Sequence, residues 1–118
     1  AIDKAKSLNL KVGLALNPET KLYDAAKFLD KVDLMHLMGV HPGAQGRLFL
    51  PETLSRIKEL RKLLKTGIIE VDGGVNDKTA GPIKKAGADI LVSASYIFKS
   101  KIPKSAYEKL KNDWTFAR

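Results

Sequence analysis

The sequence predicts an α/β protein built on a parallel sheet, and three observations predict it. Short apolar runs alternate four times with segments of helical periodicity. The runs are apolar on both faces, as strands of a sheet covered on both sides must be. The connections are short, which favours direct strand–helix–strand crossovers of right-handed sense.

The elements follow in order. Lys11 to Leu16 (KVGLAL) reads as the first strand, ended by Asn17-Pro18 because proline cannot donate to a ladder. Thr20 is placed to cap a helix through Asp30, with Leu22, Ala25, Ala26 and Leu29 at helical spacing, and the Asn17 amide is placed to close the turn before it. Asp33 to Val40 (DLMHLMGV) is the second strand, and His41 to Phe49 (HPGAQGRLF) a glycine-bearing loop. Pro51 suits the first position of a helix to about Lys65, with Leu54, Ile57, Leu60, Leu63 and Leu64 as its buried stripe. Glu52 and Arg56 form an i,i+4 pair on its outer side, and Gly67 stops it. Ile68 to Asp72 (IIEVD) is the third strand, followed by Gly73-Gly74. Asn76 or Asp77 caps the next helix, which Gly81-Pro82 should shorten or kink and Gly87 ends. Ala88 to Ala94 (ADILVSA) is the fourth strand, and Pro103 to Lys111 the last helix, with Ala106, Tyr107 and Leu110 inward. Trp114 and Phe116 are placed to pack against the bottom of the sheet or a neighbouring subunit. We find no linker, so residues 1–118 read as one domain. Four βα units are about half of the roughly 250 residues of a closed (β/α)8 barrel, so the fold class is α/β, a half-barrel with a parallel sheet.

Composition narrows the function. Hydrophobic residues at 44% and charged residues at 29% describe a globular chain. No apolar run is long enough to cross a bilayer, and Ala1 to Leu10 has no apolar core of a secretory signal. The chain has no cysteine, which excludes disulfide and thiol chemistry and fits a cytoplasmic setting. The net charge of +8 invites a nucleic-acid reading, but the lysines are scattered, with no arginine-rich tract or aromatic platform. A solvated lysine surface with a bias toward anionic metabolites accounts for them.

Special residues collect in the loops after strands, where parallel α/β proteins bind ligands. His41-Pro42-Gly43-Ala44-Gln45-Gly46, Asp72-Gly73-Gly74 and Ala94-Ser95 are small-residue turns that let backbone N–H groups approach an anion. One such turn is also the ordinary way to build a tight loop. Three in succession point to phosphate.

Four motifs then come in one order: Ala15-Leu16-Asn17-Pro18; Leu37-Met38-Gly39-Val40-His41-Pro42-Gly43 with Gly46 and Phe49; Glu70-Val71-Asp72-Gly73-Gly74-Val75-Asn76; and Ala86-Gly87-Ala88-Asp89 with Ser93-Ala94-Ser95 and Ile97-Phe98. Together they resemble the later half, strands five to eight, of the ribulose-phosphate 3-epimerase family. That resemblance implies a metal-assisted proton shuttle beside a ketone, interconverting ribulose 5-phosphate and xylulose 5-phosphate in pentose phosphate metabolism. Asp72 would be one of two acid/base carboxylates and a ligand of a divalent metal ion, zinc, iron, manganese or cobalt. Its bland alternative is a turn former ahead of two glycines. Gly43, Ala44, Gln45 and Gly46 would fold over the substrate, and Gly73, Gly74, Ala94 and Ser95 would hold its phosphate. Met38 would line the pocket, or serve as core.

The departures from that pattern are specific. The family shows glycine where Gln45 and Ala94 stand and glutamine where Arg47 stands; Arg47 reads either as a solvent-facing side chain or as a phosphate contact. The family's first half supplies the partner carboxylate, two metal-binding histidines and a substrate-contacting serine, and none of those motifs is present. His36 and His41 do not match them. If Met38 points inward, strand alternation sends His36 inward one layer deeper, toward Glu70, and a His36–Glu70 hydrogen bond is expected in preference to a metal ligand. His41 reads as solvated or as a substrate-loop contact. The metal is therefore expected to need more than this chain, and so is catalysis; the alternative is a half-barrel that only binds phosphate or serves in assembly. The expected partners are a sugar phosphate and either a second copy or an N-terminal half-barrel, with an inner face including Met38, Val40 and His36 left open to it.

Overall fold

Parallel neighbours cannot be joined by a hairpin, so each strand must hand over to a crossover before the next begins. The computed structural model, which describes residues 1–43 and 46–116, follows that rule. β1 (Gly13–Leu16), β2 (Leu34–Met38), β3 (Ile68–Asp72) and β4 (Ile90–Val92) form one parallel sheet in the order β1-β2-β3-β4. The helices are α1 (Ile2–Ser7), α2 (Leu22–Ala25), which runs on as a 3-10 turn (Ala26–Lys31), α3 (Glu52–Leu63), α4 (Ala80–Ala86), α5 (Ser95–Phe98) and α6 (Pro103–Phe116). This is the four-unit half-barrel expected.

Strand register sorts the side chains into two faces. Ala15, His36, Glu70 and Ile90 pair in one row, and Met38, Asp72 and Val92 in another, two residues further along. These rows share a face because side chains alternate along a strand. The opposite face carries Leu16, Met35, Leu37, Ile69 and Val71, all buried against Ile57 and Leu60 of α3, Ile83 of α4 and Leu110 of α6. That one-sided layer is the core. On the other face Gly13 and Ala15 are exposed, His36, Met38, Glu70, Asp72 and Val92 are half-buried, and Ile68 and Ile90 are 42% and 37% exposed. The strands are apolar on both faces, yet the described helices cover only one. Val40, expected on the open face, lies past the end of β2 and is buried.

Two aspartates at the strand entries repeat one device. Asp33 donates its amide to the Val12 carbonyl, and its carboxylate accepts the Val12 amide at 2.7 Å. Asp89 does the same with Ile69, amide to carbonyl and carboxylate to amide, each at 2.8 Å. Each aspartate thus clamps the start of the preceding parallel strand and fixes register where the ladder would otherwise fray.

Two arginines tie loops to α3. Arg61 donates to the carbonyls of Leu64, Gly67 and Gly87 and to the Asp89 carboxylate, closing the bottom of the α3–β3 and α4–β4 connections together. Arg56 donates to the carbonyls of Asn17, Pro18 and Thr20. It therefore braces the loop after β1 instead of pairing with Glu52, because a fork of N–H donors satisfies several loop carbonyls at once.

That brace also explains why the helix expected from Thr20 is short. Carbonyls 17 and 20 are engaged in the turn and with Arg56, so α2 begins at Leu22 with no side-chain cap and tightens into a 3-10 turn at Ala26, which is exposed. The Asn17 backbone carbonyl, not its amide, closes the turn by accepting the Thr20 amide. α3 stops at Leu63, four residues before Gly67, because the Arg61 guanidinium takes up the carbonyls beyond it, and Leu63 is 51% exposed. α6 runs five residues past Lys111, and Tyr107 faces solvent while Ala106 and Leu110 are buried. Trp114 packs on the core edge with the Lys84 ammonium over its ring; the Phe116 side chain lies outside the description. α1 and α5 have no counterpart among the expected helices, since six and four residues are too few for periodicity to register.

Two outcomes follow. Arg61→Ala should lower stability by about 2–3 kcal/mol in urea unfolding, since several carbonyls lose their charged donor. The Val12 amide, together with the nearby Lys11, holds the Asp33 carboxyl below its ordinary value of 3.8. A depressed folded-state value adds stability above the ordinary value and loses it as pH falls through the folded one. Asp33→Asn should therefore be less stable than wild type at neutral pH, and the difference in urea midpoint should shrink once pH drops below 3.8.

Candidate functional site

Because all four strands run the same way, their C-terminal ends open on one edge. There the ends of β2, β3 and β4 surround an open cavity of about 430 Å³. Eight of the residues singled out from sequence line it: Met38, Gly43, Gly46, Asp72, Gly73, Gly74, Ala94 and Ser95. Ala44 and Gln45 lie outside the described residues.

Close backbone contacts build the mouth. The Gly39 amide donates to the Asp72 carbonyl at 2.7 Å, and the Gly39 carbonyl accepts the Leu50 amide at 2.8 Å, so β2, β3 and the returning loop meet at one point. A Cβ on Gly39 would stand 2.6 Å from the Gly73 carbonyl oxygen. Gly74 adopts φ +70°, and a Cβ there would lie 2.6 Å from that of Phe49. Any other residue at Gly74 meets both strain and collision. The loop beyond is pinned by Thr79, whose hydroxyl donates to the Gly74 carbonyl at 2.8 Å. Asn76 accepts the amides of Lys78 and Thr79 through its side-chain oxygen, turning the chain ahead of α4. Asn76 thus makes a turn, and the helix it was expected to cap begins only at Ala80. The Ser93 hydroxyl donates to the Val75 carbonyl at 3.0 Å and joins the ends of β3 and β4.

At β4 the Ala94 carbonyl accepts the amides of Ile97 and Phe98. The amides of Ser95 and Tyr96 have no acceptor within α5, as at any helix start. Arg47 is exposed and lines the same cavity, so its guanidinium is both solvated and at the mouth. Lys99 lies beside it, its ammonium 3.6 Å from the place of a Cβ on Gly46. Nothing marked Lys99 in the sequence, where it is one lysine among many. Val92, on the open face at the end of β4, and Ser93, just beyond it, also line the cavity.

Asp72 sits on the open face at the rim, its side chain 38% exposed. One layer deeper His36 Nδ1 lies 2.5 Å from Glu70 Oε1, the expected interior pair, in which the ring N–H donates to the carboxylate. The other ring nitrogen, Nε2, is 3.8 Å from Asp72 Oδ2, beyond hydrogen-bond reach. His41 lies away from the cavity lining and pairs with Glu19. The Glu19 backbone amide and His41 hold that carboxyl below its ordinary range. Among the described residues no three His, Asp or Glu side chains converge as a metal-ligand set. Asp72 with one distant imidazole does not make a complete divalent-metal site.

The chain resembles known proteins over nearly its whole length. Residues 1–98 match the model of the ribulose-phosphate 3 epimerase family. Ribulose-phosphate 3-epimerase of Helicobacter pylori (strain ATCC 700392 / 26695) is 42% identical over 111 residues, which are 91% of this chain and 51% of the relative. The enzyme of the same name from Buchnera aphidicola subsp. Baizongia pistaciae is 46% identical over 99 residues, 80% of this chain and 43% of the relative. That from Escherichia coli (strain K12) is 37% identical over 112 residues, 92% and 50%. The chain thus spans about half the length of the curated relatives it matches. Among solved structures, 3-hexulose-6-phosphate synthase from Salmonella typhimurium superposes with a TM-score of 0.73 at 18% identity, over 99% of this chain and 55% of that one. The Amycolatopsis orientalis BexX/CysO complex gives 0.76 at 16%, over 97% and 45%. These distant likenesses establish the fold.

Proposed function

Because this chain belongs to the ribulose-phosphate 3-epimerase family, we propose that it forms the phosphate-binding half of an epimerase acting on ribulose 5-phosphate, with Asp72 as one of its two acid/base carboxylates. One observation carries the reading. Asp72, the Gly73-Gly74 turn and the Ala94-Ser95 turn open on a single cavity at the C-terminal ends of the strands.

The substrate's phosphate would lie against the backbone of Gly73, Gly74, Ala94 and Ser95, where no side chain fills the approach to the first two. Arg47 and Lys99 at the rim supply positive charge. Ala94 adds a methyl where the family has glycine and so narrows the cradle from one side. With the phosphate anchored there, the sugar reaches toward Asp72 along a wall that includes Met38. Asp72 would remove or return the proton on one face of the carbon beside the ketone. Inversion needs a second carboxylate on the other face, and Glu70 cannot be it, because it sits a layer deeper and holds His36. The divalent ion of the family would stabilise enediolate charge when bound, with Asp72 as one ligand and the others supplied from outside this chain. The opposite wall would come from a second copy or from an N-terminal half-barrel. A cytoplasmic setting belongs to the same reading, and no described helix is long and apolar enough to cross a membrane.

Monomeric, metal-supplemented chain should show negligible turnover of ribulose 5-phosphate in a coupled assay. Turnover at ordinary enzyme rates that vanishes in Asp72→Asn would mean that the chain recruits a second carboxylate without a partner. Phosphate recognition should survive separately. Calorimetric titration of ribulose 5-phosphate should give weak, salt-sensitive binding that Gly74→Val reduces, with circular dichroism checking that the variant is folded. Equal binding of an unphosphorylated pentulose would refute the cradle.

A further inference from the structure

A second cavity, of about 350 Å³, adjoins the first. The two meet along Gly46, Arg47, Gly74 and Ser95, while Asp72 and Ala94 line only the first. The second is walled by Leu48 and Phe49 in the loop after β2, by Asn76 after β3, and by Lys99 just past α5.

Its charge is of one sign. Arg47 and Lys99 line it and no carboxylate does, although the chain has 13 acidic residues. The Lys99 ammonium lies 3.6 Å from the place of a Cβ on Gly46, and an Arg47 guanidinium nitrogen 3.5 Å from that of a Cβ on Gly43. The two cations therefore flank one loop, and Ala44 and Gln45 between those glycines add no charge to it. Among the described residues neither cation enters an ion pair. Arg56 and Arg61, by contrast, give their donors to backbone carbonyls. Asn76 uses its side-chain oxygen to hold its turn, and its side-chain NH2 remains a donor. A concave wall of one charge sign concentrates an ion of the other. An arginine fork beside a lysine point charge suits phosphate oxygens in particular.

We propose that this second cavity is a phosphate subsite of its own, with Arg47 and Lys99 as its charged donors and Asn76 as a neutral one. Its ligand is a phosphate group additional to the one in the Gly73-Gly74 and Ala94-Ser95 cradle. That group is either a free ion or the far phosphate of a diphosphate crossing between the cavities at Gly74. Ribulose 5-phosphate carries one phosphate, so the subsite goes beyond the epimerase reading. Its rank as second to the cradle rests on that reading; the Arg47–Lys99 site itself does not.

Calorimetric titration of the full 118-residue chain with inorganic phosphate counts the sites, with circular dichroism checking that each variant is folded. Wild type should take up two phosphates. The double variant Arg47→Gln/Lys99→Gln should take up one. Ala94→Asp, which puts a carboxylate into the first cavity only, should also take up one, and the three changes together none. Lys62→Gln, on the exposed side of α3, should match wild type. Inorganic pyrophosphate then separates the two sources. One pyrophosphate per chain, bound about tenfold tighter than phosphate and losing that advantage in the double variant, identifies a diphosphate. Two phosphates with no such advantage identify free ions. A single phosphate in wild type that the double variant leaves unchanged overturns the subsite. A single phosphate weakened by both the double variant and Ala94→Asp overturns its separateness, because cations and cradle then hold one ion. A single phosphate that the double variant abolishes and Ala94→Asp spares upholds the subsite and counts against the cradle. No phosphate bound at all overturns both.

Discussion

The structure depends on the handedness of its crossovers. A strand that twists to the right and feeds a helix returns to a parallel neighbour on one side of the sheet only. With strand order β1-β2-β3-β4 and no reversal, every crossover falls on the same side. Three consequences follow together. The core becomes a single layer between Met35, Leu37, Ile69 and Val71 and the helices. The other face is left without cover, although its strands are apolar enough to need it. All the loops that follow strands meet at one edge, which is why residues as far apart in sequence as Met38 and Ser95 share a cavity.

Within that frame, polar groups are used to set register and to close loops. The Asp33–Val12 and Asp89–Ile69 clamps stand at the entries of alternate strand pairs and are the same interaction made twice. Arg56 and Arg61, one turn and more apart on α3, reach to opposite ends of the unit, Arg56 to the loop after β1 and Arg61 to the turns before β3 and β4. α3 buries Ile57 and Leu60 between them. The central helix thus couples its packing to the geometry of three connections.

At the mouth itself the decisive atoms are absent ones. Gly39, Gly73 and Gly74 interlock with Val40 and Phe49 at distances that no Cβ could occupy. This lets the backbones of the two turns meet, with Phe49 packed against them. Asp72 emerges from the same knot, its carbonyl held by Gly39 and its carboxylate left at the rim above the His36–Glu70 pair. The arrangement holds the Asp72 carboxylate and the Gly73-Gly74 backbone in fixed relation.

The alternation of apolar runs and helical stripes was enough to determine four strands, their parallel order and the loops that matter, because period and punctuation are local properties. The motif around Asp72-Gly73-Gly74 was legible for the same reason, and the inward pairing of His36 with Glu70 followed from alternation across adjacent strands. Where the outcome depended on what approaches from elsewhere in the chain, the sequence was silent. Arg56 left Glu52 for three loop carbonyls, Thr20 lost its cap to that brace, and Arg61 ended α3 before Gly67. Lys99 came beside Gly46, which lines the cavity, from a segment with no pattern of its own. That one face would be left open followed from counting four βα units, but that Val40 leaves that face and is buried past the end of β2 was decided only in three dimensions.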